Sequence, residues 1–393
     1  GMQYQLKDMM DLDFLLALDD EREIKEGMDA RLERDRQIHA RIREASGNQV
    51  GDGSQGSGPE RSGDPDGHAL ILAWLKDRRT AHDRDPDADL LPGSVYAALS
   101  GWTRLVLALA GVAAGFGLAG SFLVYHGTRP VNVTSFWVVF CGVPFLLSML
   151  SLAAAGIHLS GRTGPSGRGL LRVFQSLVQY LCFSLLPALA SKLPGRPFRQ
   201  GKEALEAAVW QIRTRQSFYR PLFFFPFFIQ TSLFGAAFSL GALGAVFFKV
   251  LASDIAFGWQ STLVTSGRTV YDLVSIISLP WQMFTQAPCP GLEQIQGSRI
   301  ILKQGISVLA TRDLVSWWPF ICWSIFIYGI VPRLGLMAAG AVFERGRLRT
   351  AFSGRPEYAR LRLRMTAPGL RVDPPREPEA PVSAVPPQAV PSV

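Results

Sequence analysis

Apolar residues along this chain come in blocks rather than at a regular spacing. Four blocks stay free of charged side chains over roughly the 20 residues that span a bilayer core: Leu105 to Tyr125, Phe136 to Leu159, Leu222 to Phe248 and Leu314 to Val331. None of them alternates as barrel strands do, and only helices or closed barrels satisfy every backbone group inside lipid, so the pattern predicts four transmembrane helices. The expected fold class is an all-α polytopic integral membrane protein with soluble helices on its cytoplasmic and outer faces. By residue number, a charged helical segment covers 1–45, a flexible linker 46–67 and a second helical segment 68–104. Spans follow at 105–126, 136–159, 222–250 and 314–340. A basic helical region at 160–221 separates the second and third, and a structured outer loop at 251–313 the third and fourth. A basic tail at 341–373 precedes a disordered end at 374–393.

The distribution of Lys and Arg sets the orientation. Between the second and third spans lie Arg162, Arg168, Arg172, Lys192, Arg196, Arg199, Lys202, Arg213, Arg215 and Arg220 against Glu203 and Glu206, which makes this side cytoplasmic. The tail after the fourth span is equally basic, with Arg345, Arg347 and Arg349 at its start, and the turn between spans one and two holds Arg129 alone. An even number of spans then puts both termini inside. Leu170 to Ala190 is apolar enough to suggest a fifth span, but Arg172, Gln175 and Gln179 interrupt it and a crossing would translocate the arginines that follow. It reads as a helix buried in the cytoplasmic part or lying at the interface.

The soluble parts divide by composition. From Tyr4 to Ala45, Phe14, Leu15, Leu18, Met28, Leu32 and Ile38 form a patchy stripe that needs something to pack on. His68 to Arg79 puts Leu70, Ile71, Trp74 and Leu75 on one side of a helix. The stretch from Ser46 to Gly67 is rich in Gly, Ser, Asp and Pro, and the end from Pro374 is rich in Pro and Ala. The amino-terminal region is long, acidic and polar, so no signal peptide is expected.

Residue chemistry argues against an enzyme. Cys141, Cys182, Cys289 and Cys322 are scattered and the five histidines show no ligand spacing, so neither a metal nor a cofactor is expected. GRTGPSGRG, Gly161 to Gly169, lacks the Gly-Lys-Ser/Thr ending of a phosphate loop and follows a span rather than a strand. The net charge of +8 is accounted for by topology and by anionic lipid on the cytoplasmic side, without nucleic acid. Lys249, Asp254 and Arg333 are expected only at span ends, which leaves the span cores uncharged. Gly111 and Gly115 form a GxxxG pair, and Gly235, Ser239, Gly241 and Ala245 give the third helix a close-packing face, suited to contacts within one chain or between copies.

The richest local signal is VLASDIAFGWQSTL, Val250 to Leu263, which closes the third span. Phe257 and Trp259 suit an interfacial aromatic belt, Gly258 permits a sharp bend, and Gln260, Ser261 and Thr262 can hydrogen-bond backbone. One reading is a helix exit with an aromatic anchor. The other is an outer vestibule shared with SLPWQMF, Ser278 to Phe284, in which Asp254 attracts cations and Gln260 lines an entrance. Helix-like stretches at Thr262 to Leu279 and Leu292 to Leu309 make the loop too apolar for a solvated tether.

SDIAFGWQSTL (Ser253 to Leu263), LPWQ (Leu279 to Gln282), GSRI (Gly297 to Ile300) and YGIVPRLGL (Tyr328 to Leu336) together resemble an uncharacterised family of bacterial multi-pass inner-membrane proteins, catalogued as a domain of unknown function, over roughly residues 67–365. The resemblance implies an integral membrane protein, commonly encoded beside a protein with a GTPase domain, and no assigned activity. The positions it carries over are Asp254, Phe257, Gly258, Trp259, Pro280, Trp281, Arg299, Pro332 and Arg333. Three functions follow as expectations. The first is a non-enzymatic, channel-like or switchable subunit working with a cytoplasmic GTPase partner, which Asp19, Asp20, Glu21 and Glu23 could meet. The second is a homo-oligomeric pore for ions or small solutes. The third is a scaffold in which Arg333, Arg345, Arg347 and Arg349 meet the membrane interface and hold anionic lipid.

Overall fold

The computed structural model describes residues 5–26, 28–48, 67–85, 90–124, 130–159, 216–253, 255–260, 266–285, 289–300 and 311–366. They are mostly helical. The expected segment at Leu170 to Ala190, the GRTGPSGRG turn, Asp254, Thr262 and the Pro-rich end lie outside them.

The helices are α1 (Leu6–Glu26), α2 (Met28–Asn48), α3 (Gly67–Asp83), α4 (Pro92–Phe122), α5 (Val133–Trp137), α6 (Val143–Leu159), α7 (Gln216–Ala252), α8 (Gly267–Gln282), α9 (Leu292–Gly297), α10 (Thr311–Val315), α11 (Trp318–Ser324), α12 (Val331–Ser353) and α13 (Pro356–Thr366). Two-residue strands β1 (Val131–Asn132) and β2 (Phe257–Gly258) pair in parallel. Four helical stretches are long and apolar enough to cross a membrane: Pro92–Phe122, Val133–Ile157, Leu222–Ala252 and Asp313–Phe352. They match the four expected spans, with different ends. The first helix starts at Pro92, because a proline at the first helical position sacrifices no hydrogen bond, and it runs without a break through Arg104 into the apolar stretch.

Two spans contain π-helical turns, Val138–Gly142 between α5 and α6 and Ile325–Ile330 between α11 and α12. Each ends just before a proline, Pro144 and Pro332. Proline has no N–H to give the carbonyl four residues back, and its ring crowds that carbonyl, so the preceding turn widens to bonds five residues apart. Accordingly Val143 N–H bonds to the Val138 carbonyl and Val331 N–H to that of Phe326.

The first and third spans pack backbone to backbone. A Cβ on Gly111 would lie 2.8 Å from the Phe234 carbonyl, and one on Gly115 would collide with the Phe238 carbonyl. From the other side, a Cβ on Gly241 would collide with the Val112 carbonyl. The GxxxG pair is therefore engaged within the chain, where absent side chains let the backbones approach. Contacts advance in the same direction on both helices, so the two run parallel.

The chain divides into two units, residues 1–25 with 75–355, and 26–74 with 356–393. The second is built around Asp35, whose side chain is fully buried: its carboxylate accepts a bond from the Trp74 indole N–H at 3.0 Å and sits 3.5 Å from Arg364 Nε. The expected amino-terminal stripe is only half right. Leu15 and Ile38 are buried, but Met28 is 63% exposed, while Met9, Met10, Leu12 and Leu16 are buried as well. On α3, Leu70, Ile71, Trp74 and Leu75 are all buried as their spacing predicts.

Candidate functional site

Three places in the larger unit gather polar or aromatic groups that a plain helical bundle does not need. The corner beyond α7, expected on the outer face, is the first. Beyond α7 the chain forms β2, with Val131 opposite Phe257 and Asn132 opposite Gly258. A third segment lies on its other side, where Trp259 pairs in parallel with Arg299, Trp259 N–H bonds to the Ser298 carbonyl at 3.2 Å, and Ile300 N–H bonds to the Trp259 carbonyl at 3.0 Å. Asn132 also caps α5, its side chain accepting from Thr134 N–H and Ser135 N–H. Three segments from distant parts of the chain thus form a narrow sheet.

Packing explains the residue types at this corner. Phe257 and Trp259 are buried, and the Trp259 indole N–H donates to the Ile295 carbonyl at 2.5 Å while the Arg299 guanidinium lies 5.5 Å from its ring centroid. Ser298 accepts from the Trp317 indole N–H at 2.9 Å and donates to the Ile295 carbonyl. Gly258 serves close approach rather than the expected bend: a Cβ there would meet Ile300 at 2.8 Å and the Ser298 carbonyl at 3.0 Å, and its φ is not left-handed. Gln260 is half-buried at the edge.

Helix α8 covers the corner. The expected helical stretch at Thr262 to Leu279 is shifted to Gly267–Gln282, because Ser266 caps it at the Arg268 N–H and Pro280 is carried inside its last turn. Trp281 is buried against Phe320 and Trp323, at ring-centroid distances of 5.8 and 6.4 Å, and Tyr328 on the second π turn donates its hydroxyl to the Ile277 carbonyl at 2.8 Å. Leu273, Ile276, Leu279, Met283 and Phe284 are exposed on the opposite side.

The second place is the buried guanidinium of Arg333. Expected at a span end, it stands in the middle of the 40-residue apolar helix Asp313–Phe352 and is only 6% exposed. Backbone hydrogen bonding runs on past a charged side chain, so the end of a charge-free window is not the end of the helix. Arg345, Arg347 and Arg349, by contrast, are exposed on the same helix.

The third place was not foreseen. Helix α1 directs acids inward: Asp8, Asp11, Asp13 and Asp19 are all buried. Arg79 reaches Asp11 through Nε at 2.7 Å and Asp8 through Nη1 at 2.8 Å, and Arg78 bonds Asp19 at 2.7 Å. Asp11 also accepts the Gly93 N–H at the start of the first span, at 2.6 Å, and Asp13 accepts from Arg355 just beyond the fourth. Burial pushes the Asp11 carboxyl above the ordinary aspartate range, against the opposing pull of Arg79 and the Gly93 N–H. Asp19 is thus occupied inside the chain rather than presented to a partner, while Asp20 and Glu21 are exposed. The legible signal was acids interleaved with Met9, Met10, Leu12 and Leu16 on one face, opposite an Arg78-Arg79 pair.

Among the described residues no three His, Cys, Asp or Glu side chains gather closely enough to hold a metal ion, and Cys141, Cys289 and Cys322 are free. One family model, described as "Protein of unknown function (DUF2868)", matches residues 194–392, half of the chain. The match starts later than the expected residue 67 and runs on through the Pro-rich end. No curated protein and no solved structure matches the chain.

Proposed function

The chain belongs to the family described as "Protein of unknown function (DUF2868)", and from that premise we propose that it is a non-enzymatic, multi-pass component of a bacterial inner membrane that changes state with a cytoplasmic GTPase-domain partner. The observation that carries this reading is the latch made by α1. Its carboxylates hold the Gly93 N–H at the start of the first span and Arg355 beyond the end of the fourth. A helix that grips both ends makes their relative position depend on its own state, so a protein binding its outer surface can act on the spans. Orientation follows from the exposed Arg345, Arg347 and Arg349 near that end, the side on which basic residues remain cytoplasmic and can meet anionic lipid.

The resemblance supplies the nature of the partner, and the exposed Asp20 and Glu21 offer it a contact. A self-assembling pore entered at the outer corner is less favoured, because Phe257, Gly258, Trp259 and Trp281 are buried in packing. A passive scaffold does not account for the latch.

The test is native mass spectrometry of the protein released from its own membranes, for the wild type and for Asp20→Lys/Glu21→Lys. A nucleotide-binding chain that copurifies with the wild type and is lost from the double variant is the expected result. A closed ring of this chain alone would replace the reading with a pore, and a lone monomer carrying anionic lipid would replace it with a scaffold.

A further inference from the structure

Arg333 is a cation in the apolar layer with almost nothing to neutralise it. Its Nη2 donates to the Pro144 carbonyl at a long 3.4 Å, Nε has no hydrogen-bond partner, and no carboxylate among the described residues pairs with it. That carbonyl is already shared with the Ser148 hydroxyl, at 2.8 Å. A guanidinium carries five N–H donors, and an unpaired buried charge is strongly unfavourable, so a side chain left this way in a span points to a ligand that completes it.

The surroundings offer further donors. Gly235 on α7 faces the guanidinium, and a Cβ there would come within 2.8 Å of Nε, so the glycine lets the Arg333 side chain lie against the α7 backbone. On the same stripe of α7, one turn to either side, Ser232 and Ser239 are fully buried with hydroxyls that have no hydrogen-bond partner. Ser239 faces Gly329, one turn before Arg333, and a Cβ on that glycine would lie 2.7 Å from its hydroxyl. The seam between the third and fourth spans thus presents one guanidinium and the Ser239 hydroxyl, with no opposing acid among the described residues.

Depth argues for a small ion over a lipid headgroup. Gly111 faces Phe234, next to Gly235, and is seven residues beyond Arg104, so at 1.5 Å per residue this level lies about 10 Å inside the last charged residue of the first span. We propose that Arg333, with Ser239, forms an intramembrane binding site for a small monovalent anion of the chloride type. The site goes beyond the partner-driven reading and stands whether or not a partner binds.

Thermal unfolding of the full chain in nanodiscs of neutral phosphatidylcholine tests it, comparing sodium gluconate with sodium chloride and bromide at equal ionic strength. The expected result is a saturable rise in Tm with chloride, roughly 3–6 °C at a tenfold excess over Kd, that Arg333→Gln abolishes and Ser239→Ala weakens. Equal Tm in gluconate and chloride for the wild type, or a rise that survives Arg333→Gln, overturns the site. Should Arg333→Gln fail to fold, the wild-type comparison together with Ser239→Ala decides: a chloride rise unchanged by Ser239→Ala counts against it.

Discussion

Replacing Arg79 with Met removes the cation that α1 needs most. In the wild type it binds Asp11 through both Nε and Nη2, at 2.7 and 2.5 Å, and Asp8 at 2.8 Å; the side chains of Asp11 and Asp8 are only 2% and 9% exposed. Breaking a buried pair by removing one partner costs about 3–5 kcal/mol, because the stranded charge keeps its desolvation penalty. Arg79 is itself 26% exposed, so solvent screening favours the lower end, about 3 kcal/mol, or roughly a hundredfold in the opening of α1. Hydrogen exchange of the Leu6–Glu26 amides, read by mass spectrometry in nanodiscs, measures that opening. The pH dependence has a definite sign. A carboxyl whose folded value lies above the unfolded value of 3.8, as for Asp11, contributes stability that is complete below 3.8 and lost as pH rises through the folded value. Without Arg79 that folded value climbs further, so the deficit relative to the wild type narrows as pH falls from neutral toward 4. Neutralising the acids as well, in Asp8→Asn/Asp11→Asn/Arg79→Met, recovers most of the loss. Unchanged exchange in α1 for Arg79→Met at neutral pH, or a deficit that stays constant on acidification, refutes the latch.

Other consequences are simpler to state. Gly115→Leu forces a side chain into the Phe238 backbone and costs about 3 kcal/mol or more, seen as a lowered Tm, whereas Gly117→Leu on an open part of the same helix leaves Tm unchanged. Trp259→Phe leaves the Ile295 carbonyl without its donor and removes the ring beneath Arg299, a loss of about 1–3 kcal/mol measurable as faster exchange of the Leu292–Gly297 amides. The exposed apolar side of α8 suits contact with lipid, and the expected outcome is that a spin label at Ile276, after Cys289→Ser, is more accessible to oxygen than to a water-soluble nickel complex; the reverse order rules that contact out.

How much of this was legible in the sequence depended on whether a feature is local. The apolar helices were readable because length and the absence of charge are local properties, and the Gly111–Gly115 contact because small residues four apart share a face. Arg333 was placed at a span end because a charge-free window must stop where the charge is, although the helix does not. Asp8, Asp11, Asp13 and Asp19 look like the solvated face of a charged helix until Arg78, Arg79 and Arg355 come near, and no local pattern announces that. At the corner, Phe257, Gly258 and Trp259 stood out by composition. Their neighbours, Val131, Asn132 and Ser298 to Ile300, did not, since strands of two residues have no period to read.

The narrow sheet beyond α7 also imposes an order on assembly. Val131 emerges from a ribosome early, directly after the first span, and can find Phe257 only once the second and third spans have been made. Arg299 follows later still, just ahead of the fourth. Until then the open edge of Val131 and Asn132 and the unburied Trp259 mark an intermediate that a membrane chaperone or protease could recognise. The corner can close only after the first three apolar helices have been made, so its closure reports their completion as well as clasping the finished protein.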